Sequence, residues 1–478
     1  MDRLTQINKL YFKWANEEAI TTSQLPLSGS NRIYYRVCSK NKKAIAVFNE
    51  DYKENLAFIK FSEHFKNAKL NVPEIYQEDL TNNIYLQEDL GNTTLYSFLT
   101  ETKDNHFFKD EITTIYKKSL SQLIKFQLEG KNNFDFSVSY PRDKFDKESM
   151  LWDLNYFKYY FLKLAKINFD EQALQNDFET IIKSLSSTDT NYFMYRDFQS
   201  RNIMLINSEP YFVDYQGGRK GALQYDLASV LFDAKADLSV EFRNELFNFY
   251  INELKNYIKV DEAEFKKYFY GYVLIRILQA FGAYGYRGFF ERKEHFLLSI
   301  PYAINNISWL INEKEFDLNI PEVRSCIDQI IKSSYLKEIS DIKNPLRIVV
   351  QSFSYKRGIP VDETGNGGGF VFDCRALNNP GRFEEYSRLT GNDTKVIEFL
   401  EKETDVTTYL NSIKSIIDIS VSKYLERNFN NLQINFGCTG GQHRSVYCAN
   451  SIAKYIKDKY ENIEIVLRHR EQELKNKI

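Results

Sequence analysis

The chain has 478 residues, enough for two or three domains that each bury a core of their own. A formal net charge of −2 argues against a nucleic-acid-binding surface over the whole chain. Five scattered cysteines are too few for a disulfide framework or a zinc cage. The first residues lack the layout of a signal peptide, and no apolar run approaches the length of a membrane span. We therefore expect a soluble, cytoplasmic protein without membrane contact.

Residues 1–90 combine helical segments with short strands. Residues 32–37 and 44–48 are expected to form a hairpin, and residues 84–87 a further strand. The small, polar segment ahead of the hairpin has the composition of a loop whose backbone amides lie over nucleotide phosphates. A surface turn would have the same composition, so its position before the hairpin carries the prediction. The predicted nucleotide contacts in this loop are Ser28, Gly29, Ser30, Asn31 and Arg32.

Residues 91–343 are predicted to be mainly helical, with one short hairpin inside the helical region. Asp226 follows this hairpin and is predicted to cap the helix that runs through Leu231, which is a structural role. Arg201, Asp153 and Arg276 are candidates for binding the acceptor, although polar residues on these helices fit a solvated surface equally well. Asn344-Pro345 marks the expected domain boundary.

The motif with the clearest chemistry lies at the hairpin. Asp197 is followed five positions later by Asn202, and Asp214 comes twelve positions after that, behind a short apolar strand. This spacing is typical of a phosphotransferase with a kinase fold. Asp197 is predicted to accept the proton of the substrate hydroxyl, while Asn202 and Asp214 are predicted to bind Mg²⁺. Asp and Asn also favour ordinary turns, but the flanking apolar strands favour the catalytic interpretation.

After Pro345, strands alternate with helices, which indicates an α/β domain with a largely parallel sheet over residues 344–478. The strand at residues 432–437 runs into a glycine-rich loop ahead of a helix, where backbone amides and the helix dipole converge on an anion. The loop residues predicted to bind phosphate are Cys438, Thr439, Gly440, Gly441, Gln442, His443, Arg444 and Ser445.

Cys438 and Arg444 also have the spacing of the cysteine phosphatases, in which loop amides and the arginine hold phosphate against a thiolate. Gly437 stands where that class usually has a histidine. The two central glycines and His443 fit passive binding as well. Binding is therefore favoured over catalysis at this loop.

The first 335 or so residues resemble the aminoglycoside-phosphotransferase-like family, and within it the anomeric kinases for N-acetylmuramate and N-acetylglucosamine. The matching segments are residues 72–76, 87–94, 195–205, 213–216, 225–229 and 276–282. The resemblance implies a bilobal protein-kinase-like fold, ATP and Mg²⁺ as cofactors, and a sugar 1-phosphate as product. Residues 1–90 would be the smaller lobe and residues 91–343 the larger lobe. Gln87, Glu88 and Leu90 would belong to the hinge between them and contact the nucleotide.

Two departures from that family pattern stand out. Tyr195 takes the place of a histidine that is chiefly a scaffold, so this change is tolerable. The strand at residues 44–48 has no lysine in the position that grips the phosphates, and Lys42 or Arg32 would have to substitute.

The last 135 or so residues resemble the C-terminal domain of the RNase adapter protein RapZ. The matching segments are residues 350–360, 371–375, 389–391, 437–445 and 468–470. That domain senses glucosamine-6-phosphate, which implies a sugar-phosphate ligand held by Thr439, Gly440 and Arg444. Arg357 would approach the ligand from the first loop of the domain. The nucleotide-binding domain of RapZ has no counterpart here, so RNA-adapter activity is not implied.

Both resemblances point to phosphorylated amino sugars. We therefore expect an ATP-dependent kinase that acts on the anomeric hydroxyl of an amino sugar in cell-wall precursor recycling, with a C-terminal regulatory module. Two alternatives stay open. The first is a bifunctional kinase and cysteine phosphatase, and the second is a regulatory scaffold with a degenerate kinase. The sequence makes no prediction of the oligomeric state.

Overall fold

The structure is a computed structural model. It describes residues 2–26, 32–102, 108–291, 293–313, 316–336, 346–360, 369–426, 429, 431–461, 463–472 and 474–477. The described residues form two compact units, the first from residues 2–25 and 32–336 and the second from Pro26 and residues 346–477. Outside the described residues lie the predicted phosphate-loop positions Ser28, Gly29, Ser30 and Asn31 and the predicted boundary at Asn344-Pro345.

The first unit opens with a five-stranded antiparallel sheet in the order β1-β2-β3-β5-β4. Its strands are β1 (Thr21–Gln24), β2 (Ile33–Cys38), β3 (Lys43–Phe48), β4 (Ile75–Asp79) and β5 (Ile84–Gln87). Helix α1 (Arg3–Ala15) packs on one face of the sheet and helix α2 (Tyr52–Asn67) on the other. Because both faces are covered, β3 is apolar at every inner position. The predicted hairpin of residues 32–37 and 44–48 is confirmed.

The remainder of the first unit is mainly helical, as predicted. Its helices are α3 (Leu95–Thr102), α4 (Lys109–Leu128), α5 (Lys147–Phe157), α6 (Glu171–Leu185), α7 (Leu223–Leu231), α8 (Val240–Leu254), α9 (Glu262–Tyr284), α10 (Glu294–Leu297), α11 (Ile300–Asn312) and α12 (Pro321–Lys332). The aromatic residues fill the core, where the rings of Phe65, Phe126 and Phe193 meet edge to face. The described residues include no helix long and apolar enough to cross a bilayer.

Two short antiparallel pairs interrupt these helices and position the predicted catalytic motif. Strand β6 (Tyr192–Met194) pairs with β9 (Arg219–Gly221), and β7 (Ile203–Ile206) pairs with β8 (Glu209–Phe212). Asn207 and Ser208 both adopt positive φ and close the second pair as a two-residue hairpin. The loop of Asp197 therefore follows β6, while Asp214 follows β8 directly.

The second unit is a five-stranded sheet in the order β11-β12-β10-β13-β14, flanked by helices. Its strands are β10 (Leu346–Ser354), β11 (Gly369–Asp373), β12 (Asn431–Cys438), β13 (Ile463–His469) and β14 (Leu474–Lys477), and its helices are α13 (Thr394–Glu401), α14 (Thr404–Glu426) and α15 (Arg444–Lys459). Every strand pair is parallel except β13 with β14. The predicted fold class, a bilobal kinase-like fold followed by a smaller α/β domain with a largely parallel sheet, is confirmed. The edge strand β14 was not predicted.

Candidate active site

Asp197, Asn202 and Asp214 lie together at the ends of the two short strand pairs. The Nδ2 atom of Asn202 donates to the backbone oxygen of Asp197 at 2.9 Å and to Oδ2 of Asp214 at 3.3 Å. The amide nitrogen makes both bonds, so the Oδ1 atom of Asn202 is left for another ligand. The Asp197 side chain is 46% exposed, and its Oδ1 accepts a hydrogen bond from Gln199 Nε2 at 3.1 Å. The carboxylate of Asp197 is thus accessible to solvent.

The loop that carries Asp197 has an unusual backbone. Arg196 has a φ of 82° and Asp214 a φ of 70°, the left-handed region in which side chains other than that of glycine are strained. Hydrogen bonds from neighbouring elements hold this conformation. The hydroxyl of Tyr195 donates to the backbone oxygen of Val213 at 2.6 Å, which ties the loop to the residue before Asp214. Tyr195 therefore serves as a scaffold, as expected for its position.

The prediction that Asp226 caps a helix is wrong. Helix α7 is capped at Ala222, and Asp226 lies inside its first turn, fully buried. Its carboxylate accepts the backbone N–H groups of Tyr195 at 2.7 Å and Arg196 at 2.9 Å. Asp226 thus holds the backbone of the loop that carries Asp197 in place. The sequence concealed this role because an Asp near a helix start is most often a cap.

Burial raises the pKa of Asp226 to about 7, although the two backbone hydrogen bonds oppose the shift. Below this pKa the folded protein holds a proton that the unfolded chain releases near pH 4, so this group favours folding less as pH rises from about 4 to 7. We expect Asp226→Asn to lower the free energy of unfolding by about 1–3 kcal/mol at pH 5, since the amide offers only one acceptor oxygen. The loss should be smaller at pH 8, as measured by urea unfolding at both pH values. An equal loss at both would contradict the raised pKa.

A buried arginine reaches Asp214 from the smaller lobe. Arg32 is 4% exposed and immediately precedes β2. Its Nη1 lies 2.8 Å from Oδ1 of Asp214, and its Nη2 bonds Oε1 of Glu54 on α2. Burial opposes ionisation of Asp214, but the charge of Arg32 and a hydrogen bond from Gln216 outweigh it and hold the pKa of this carboxyl below its usual value. Lys42, the other predicted substitute for the missing lysine, instead donates to the backbone oxygen of Ala15.

The three candidates for acceptor binding differ in what they contact. Asp153 is bound through both oxygens by the guanidinium of Arg196, at 2.8 and 2.5 Å, so this carboxylate positions the catalytic loop. Arg201 is exposed and donates twice to Oε1 of Gln199. Arg276 forms an ion pair with Asp197, with its Nη2 at 4.0 Å from Oδ1 of that residue.

The predicted hinge residues follow strand β5. Gln87 ends the strand and is 8% exposed, and its Oε1 atom is buried without a hydrogen-bond partner among the described residues. The backbone N–H of Glu88 donates to the oxygen of Glu74 at 2.9 Å, and Leu90 is in the core. The segment links the sheet of the smaller lobe to the helices of the larger lobe.

In the second unit, the glycine-rich loop joins β12 to α15. Cys438 is 3% exposed, and its sulfur accepts the N–H of Gly441 and contacts Oγ of Ser445, each at 3.2 Å. Thr439 and Gly440 are exposed, and a side chain at Gly440 would meet open space. Gly441 has a φ of 70°, and a Cβ there would lie 2.4 Å from the side chain of Glu471. The loop is thus closed at Cys438 and open at Thr439 and Gly440.

The other predicted ligands of this loop bond to its surroundings. Arg444 is 5% exposed, and its Nη1 donates to the backbone oxygens of Arg375 at 2.9 Å and Leu377 at 2.8 Å. The ring of His443 bonds the backbone oxygen of Tyr386 at 3.0 Å, and Gln442 donates to the oxygen of Glu471. Arg357 is 73% exposed and pairs with the same glutamate, whose carboxylate it meets at 3.0 Å. The guanidinium of Arg444 bonds backbone carbonyls, and the sulfur of Cys438 is buried. Neither observation favours the phosphatase alternative.

We expect Arg444→Lys to loosen the turn after β11, because the shorter lysine side chain does not place its ammonium where Nη1 of Arg444 donates to both carbonyls. Each lost hydrogen bond leaves a partly buried carbonyl, at a cost of about 1–2 kcal/mol. Amide exchange at residues 374–377 should therefore accelerate in the variant while exchange in the first unit stays unchanged. Unaltered exchange at residues 374–377 would show that Arg444 does not brace this turn.

Comparisons with known proteins agree with the division of the chain into two units. Residues 21–262 match the phosphotransferase enzyme family, and residues 346–473 match the RapZ C-terminal domain. Nucleotide-binding proteins of Nitrosomonas europaea and Nitrosomonas eutropha are 38% and 40% identical over 140 and 134 residues. These matches cover 29% and 28% of this chain, and 46% and 44% of the relatives. The chain thus spans less than half the length of these curated relatives.

Two solved structures illustrate the structural similarities. The choline kinase LicA from Streptococcus pneumoniae shares 15% identity with a TM-score of 0.43, over 65% of this chain and 100% of that chain. A thermostable mutant of the aminoglycoside phosphotransferase APH(4)-Ia, in complex with ADP and hygromycin B, shares 11% identity with a TM-score of 0.43, over 64% of this chain and 98% of that chain. By its sequence match over half of its length, the chain belongs to the phosphotransferase enzyme family, and it carries a RapZ C-terminal domain behind that kinase-like domain.

Proposed function

We propose that the protein is an ATP-dependent kinase that phosphorylates an amino sugar at its anomeric hydroxyl, and that the RapZ-like domain binds a sugar phosphate. The observation that carries the kinase proposal is the cluster of Asp197, Asn202 and Asp214, joined by Arg32 and Glu54 from the smaller lobe. Phosphoryl transfer needs positioned charges more than covalent chemistry, and this cluster supplies them.

Asp197 is the base in this proposal. Its carboxylate is half exposed and makes one side-chain hydrogen bond, from Gln199, so an acceptor hydroxyl can bond to it. Asp226 and the Arg196–Asp153 pair hold the loop from two sides. The loop therefore presents the carboxylate in a fixed direction, which is the main contribution that a protein makes to this reaction.

Asn202 and Asp214 fit a magnesium ion. The free Oδ1 of Asn202 and the ionised carboxylate of Asp214 are oxygen ligands, and Mg²⁺ typically takes one or two protein oxygens besides phosphate and water. The bound ion would neutralise negative charge on the phosphates.

Arg32 is the proposed substitute for the missing strand lysine. In protein kinases the phosphate-gripping lysine is held by a glutamate of the helix that follows its strand. Here Glu54 of α2 holds Arg32 in the same manner, and Asn49 donates to the second oxygen of Glu54 at 2.7 Å. The Arg32–Glu54 pair supports an active kinase over a degenerate scaffold.

The RapZ-like domain is proposed to bind an amino-sugar phosphate at Thr439 and Gly440 and to adjust kinase output. The loop is open at these two residues and lies at the N-terminus of a 16-residue helix. The Nε of Arg444 is buried without a hydrogen-bond partner among the described residues, so this nitrogen is available to the anion. Kinase kinetics that stay unchanged across a glucosamine-6-phosphate titration would rule out the regulatory part of the proposal.

The kinase proposal is tested by measuring ATP turnover of the purified full chain with Mg²⁺ against a panel of free and N-acetylated amino sugars. Phosphorus NMR of the product identifies the position of transfer. A sugar 1-phosphate that is absent with Asp197→Asn supports the proposal. ATP-dependent turnover of other small molecules alone would retain the kinase and exclude the sugar, while phosphate release lost in Cys438→Ser would favour the phosphatase.

A further inference from the structure

Two π-helical segments meet on the larger lobe and bring a cluster of partly exposed aromatic rings together. The first segment, Lys158–Leu162, continues α5, and the second, Gly285–Phe290, continues α9. A Cβ at Gly285 would lie 1.9 Å from the backbone oxygen of Tyr160, so only glycine allows the two segments to approach this closely. π-Helical turns are rare, and they occur frequently at functional sites. This part of the surface is therefore a candidate for a binding role.

Four rings form the cluster, which we call the aromatic platform: Tyr156, Tyr160, Tyr286 and Phe290. The centroid of the Tyr160 ring lies 5.1 Å from that of Tyr156 and 4.9 Å from that of Tyr286, and Tyr286 stacks on Phe290 at 5.5 Å. Tyr160 is 36% exposed and Phe290 is 64% exposed. A contiguous group of exposed apolar side chains typically marks a binding surface. The platform thus offers apolar ring surface to a ligand.

One face of α9 connects the platform with the proposed catalytic carboxylate. Residues 269–278 of this helix are buried, whereas Gln279 and Ala283 are half exposed. Arg276, Gln279 and Ala283 follow helical spacing, so they share one face. Arg276 pairs with Asp197 through its Nη2 and donates to Gln279 through its Nη1. A partly exposed strip of α9 therefore runs from the neighbourhood of Asp197 towards the platform.

Helix α5 makes a second connection between the same two places. Asp153 of α5 is bound by Arg196, the residue before Asp197, and Tyr156 follows Asp153 by three positions. A Cβ at Gly282 would lie 2.7 Å from the ring of Tyr156, so this ring contacts α9 directly. The platform begins at this contact, and both helices that carry it also contact the loop of Asp197.

The platform is too far from Asp197 to hold the sugar ring that receives the phosphate. A rise of about 1.5 Å per residue puts the backbone of Gly282 about 9 Å, and that of Tyr286 about 15 Å, beyond Arg276 along α9. A single pyranose ring does not span this distance, whereas a chain of two or more rings does. The face of an aromatic ring carries partial negative charge, which attracts the C–H groups on the apolar face of a sugar ring. The spacing and the chemistry of the platform thus fit a second sugar ring.

We propose that the acceptor is an oligosaccharide of at least two rings, whose second ring stacks on the aromatic platform while the first ring presents its anomeric hydroxyl to Asp197. This inference rests on the proposed sugar kinase function and names a further subsite of the same site. The anomeric oxygen forms its bond to the γ-phosphorus as the bond to ADP breaks, and the hydroxyl proton passes to Asp197. Tyr160 and Phe290 are specificity-determining residues, because they bind the ring that does not react.

The test compares N-acetylglucosamine with two disaccharides that carry it at the reducing end, N,N′-diacetylchitobiose and N-acetyllactosamine. Binding of each is measured by calorimetry with the full chain, Mg²⁺ and a non-hydrolysable ATP analogue, and turnover is measured in parallel with ATP. The wild-type protein should bind at least one disaccharide about tenfold or more tightly than the monosaccharide, because the second ring buries apolar area on the platform. The two disaccharides show whether the second ring is an acetamido sugar or a plain hexose.

Tyr160→Ala and Phe290→Ala should each reduce this preference about fivefold, while binding of the monosaccharide changes little. Both side chains are exposed, so their truncation leaves the core intact. Tyr160→Phe should retain the preference, because the ring remains. Tyr257→Ala is the matched control, since Tyr257 is a 40% exposed tyrosine of the same unit in the turn after α8. This control should retain the full preference.

Equal binding of the monosaccharide and the disaccharides by the wild-type protein, or binding of none of the three, overturns the inference, and this comparison needs no variant to fold. A preference that survives both alanine changes also overturns it. So does a molar mass in light scattering that falls in Phe290→Ala without a change in saccharide binding, which would assign the platform to a second copy of the chain. Tighter binding of a disaccharide without turnover supports the inference and refutes the kinase proposal, whereas turnover of the monosaccharide with equal binding of all three sugars does the reverse.

Discussion

Asp197→Asn should lower kcat by about 10²–10⁴-fold, because an amide cannot accept the proton of the acceptor hydroxyl. The KM for ATP should change little, since Asp197 has no contact with Arg32 or Glu54. Folding should be retained, because the side chain is 46% exposed and its hydrogen bond from Gln199 can still form to the amide oxygen. Steady-state kinetics and a thermal melt of the same preparation check both statements.

The matched control for Asp197 is Asp79→Asn, at a half-buried aspartate whose carboxylate accepts hydrogen bonds from Asn82 in the turn between β4 and β5. This variant removes the same charge from the same unit and should retain wild-type kcat. A residual rate above one tenth of the wild type in Asp197→Asn would mean that another group takes the proton, and the neighbouring carboxylates of Asp153 and Asp214 would then be examined.

The sequence predicted that Asp197, Asn202 and Asp214 would lie together, because the signal is local. Asp197, Asn202 and Asp214 are separated by fixed short distances along the chain, and the hairpin that unites them has its own apolar pattern. The same holds for the parallel sheet of the second unit, whose strands are short, apolar and separated by helices.

The partners of these residues could not be predicted, because they come from distant positions. Arg32 meets Asp214 across 182 residues, and Arg196 meets Asp153 across 43. Asp226 was assigned to a helix cap on local grounds, yet its carboxylate serves a loop 30 residues earlier.

Arg32→Gln should lower kcat/KM for ATP more than any other substitution in the smaller lobe. The guanidinium bonds Asp214 and Glu54 at once, and an amide side chain can neither bridge both carboxylates nor attract phosphate. Loss of a charged hydrogen bond to a phosphate corresponds to about 10–150-fold in kcat/KM for ATP. The kcat/KM of Arg32→Lys for ATP should fall between the values of the wild type and of Arg32→Gln, because the lysine ammonium is a point charge that reaches one partner at a time.

The free energy of unfolding of Arg32→Gln should be lower than that of the wild type as well. Breaking a fully buried ion pair costs about 3–5 kcal/mol, but the side chains of Asp214 and Glu54 are 36% and 30% exposed, so we expect about 1–3 kcal/mol here. Arg36→Gln, on the strand that Arg32 precedes, is the matched control, since Arg36 pairs with the buried carboxylate of Asp89 at 2.9 Å. Arg36→Gln should lower the free energy of unfolding by a comparable amount and leave the ionisation of Asp214 unchanged.

The pH dependence separates these two variants. In the wild type Arg32 holds the pKa of Asp214 below its unfolded value, so the ionised carboxylate stabilises the fold above about pH 4 and loses that contribution as pH falls through the folded pKa. Without Arg32, burial still raises the pKa of this carboxyl while the largest opposing influence is lost, so its pKa should rise. The stability gap between wild type and Arg32→Gln should therefore be wider at pH 7 than at pH 3. The acid limb of the activity profile should also move to higher pH in Arg32→Gln, but not in Arg36→Gln. An acid limb that stays in place would show that Arg32 does not control the ionisation of the proposed metal ligand.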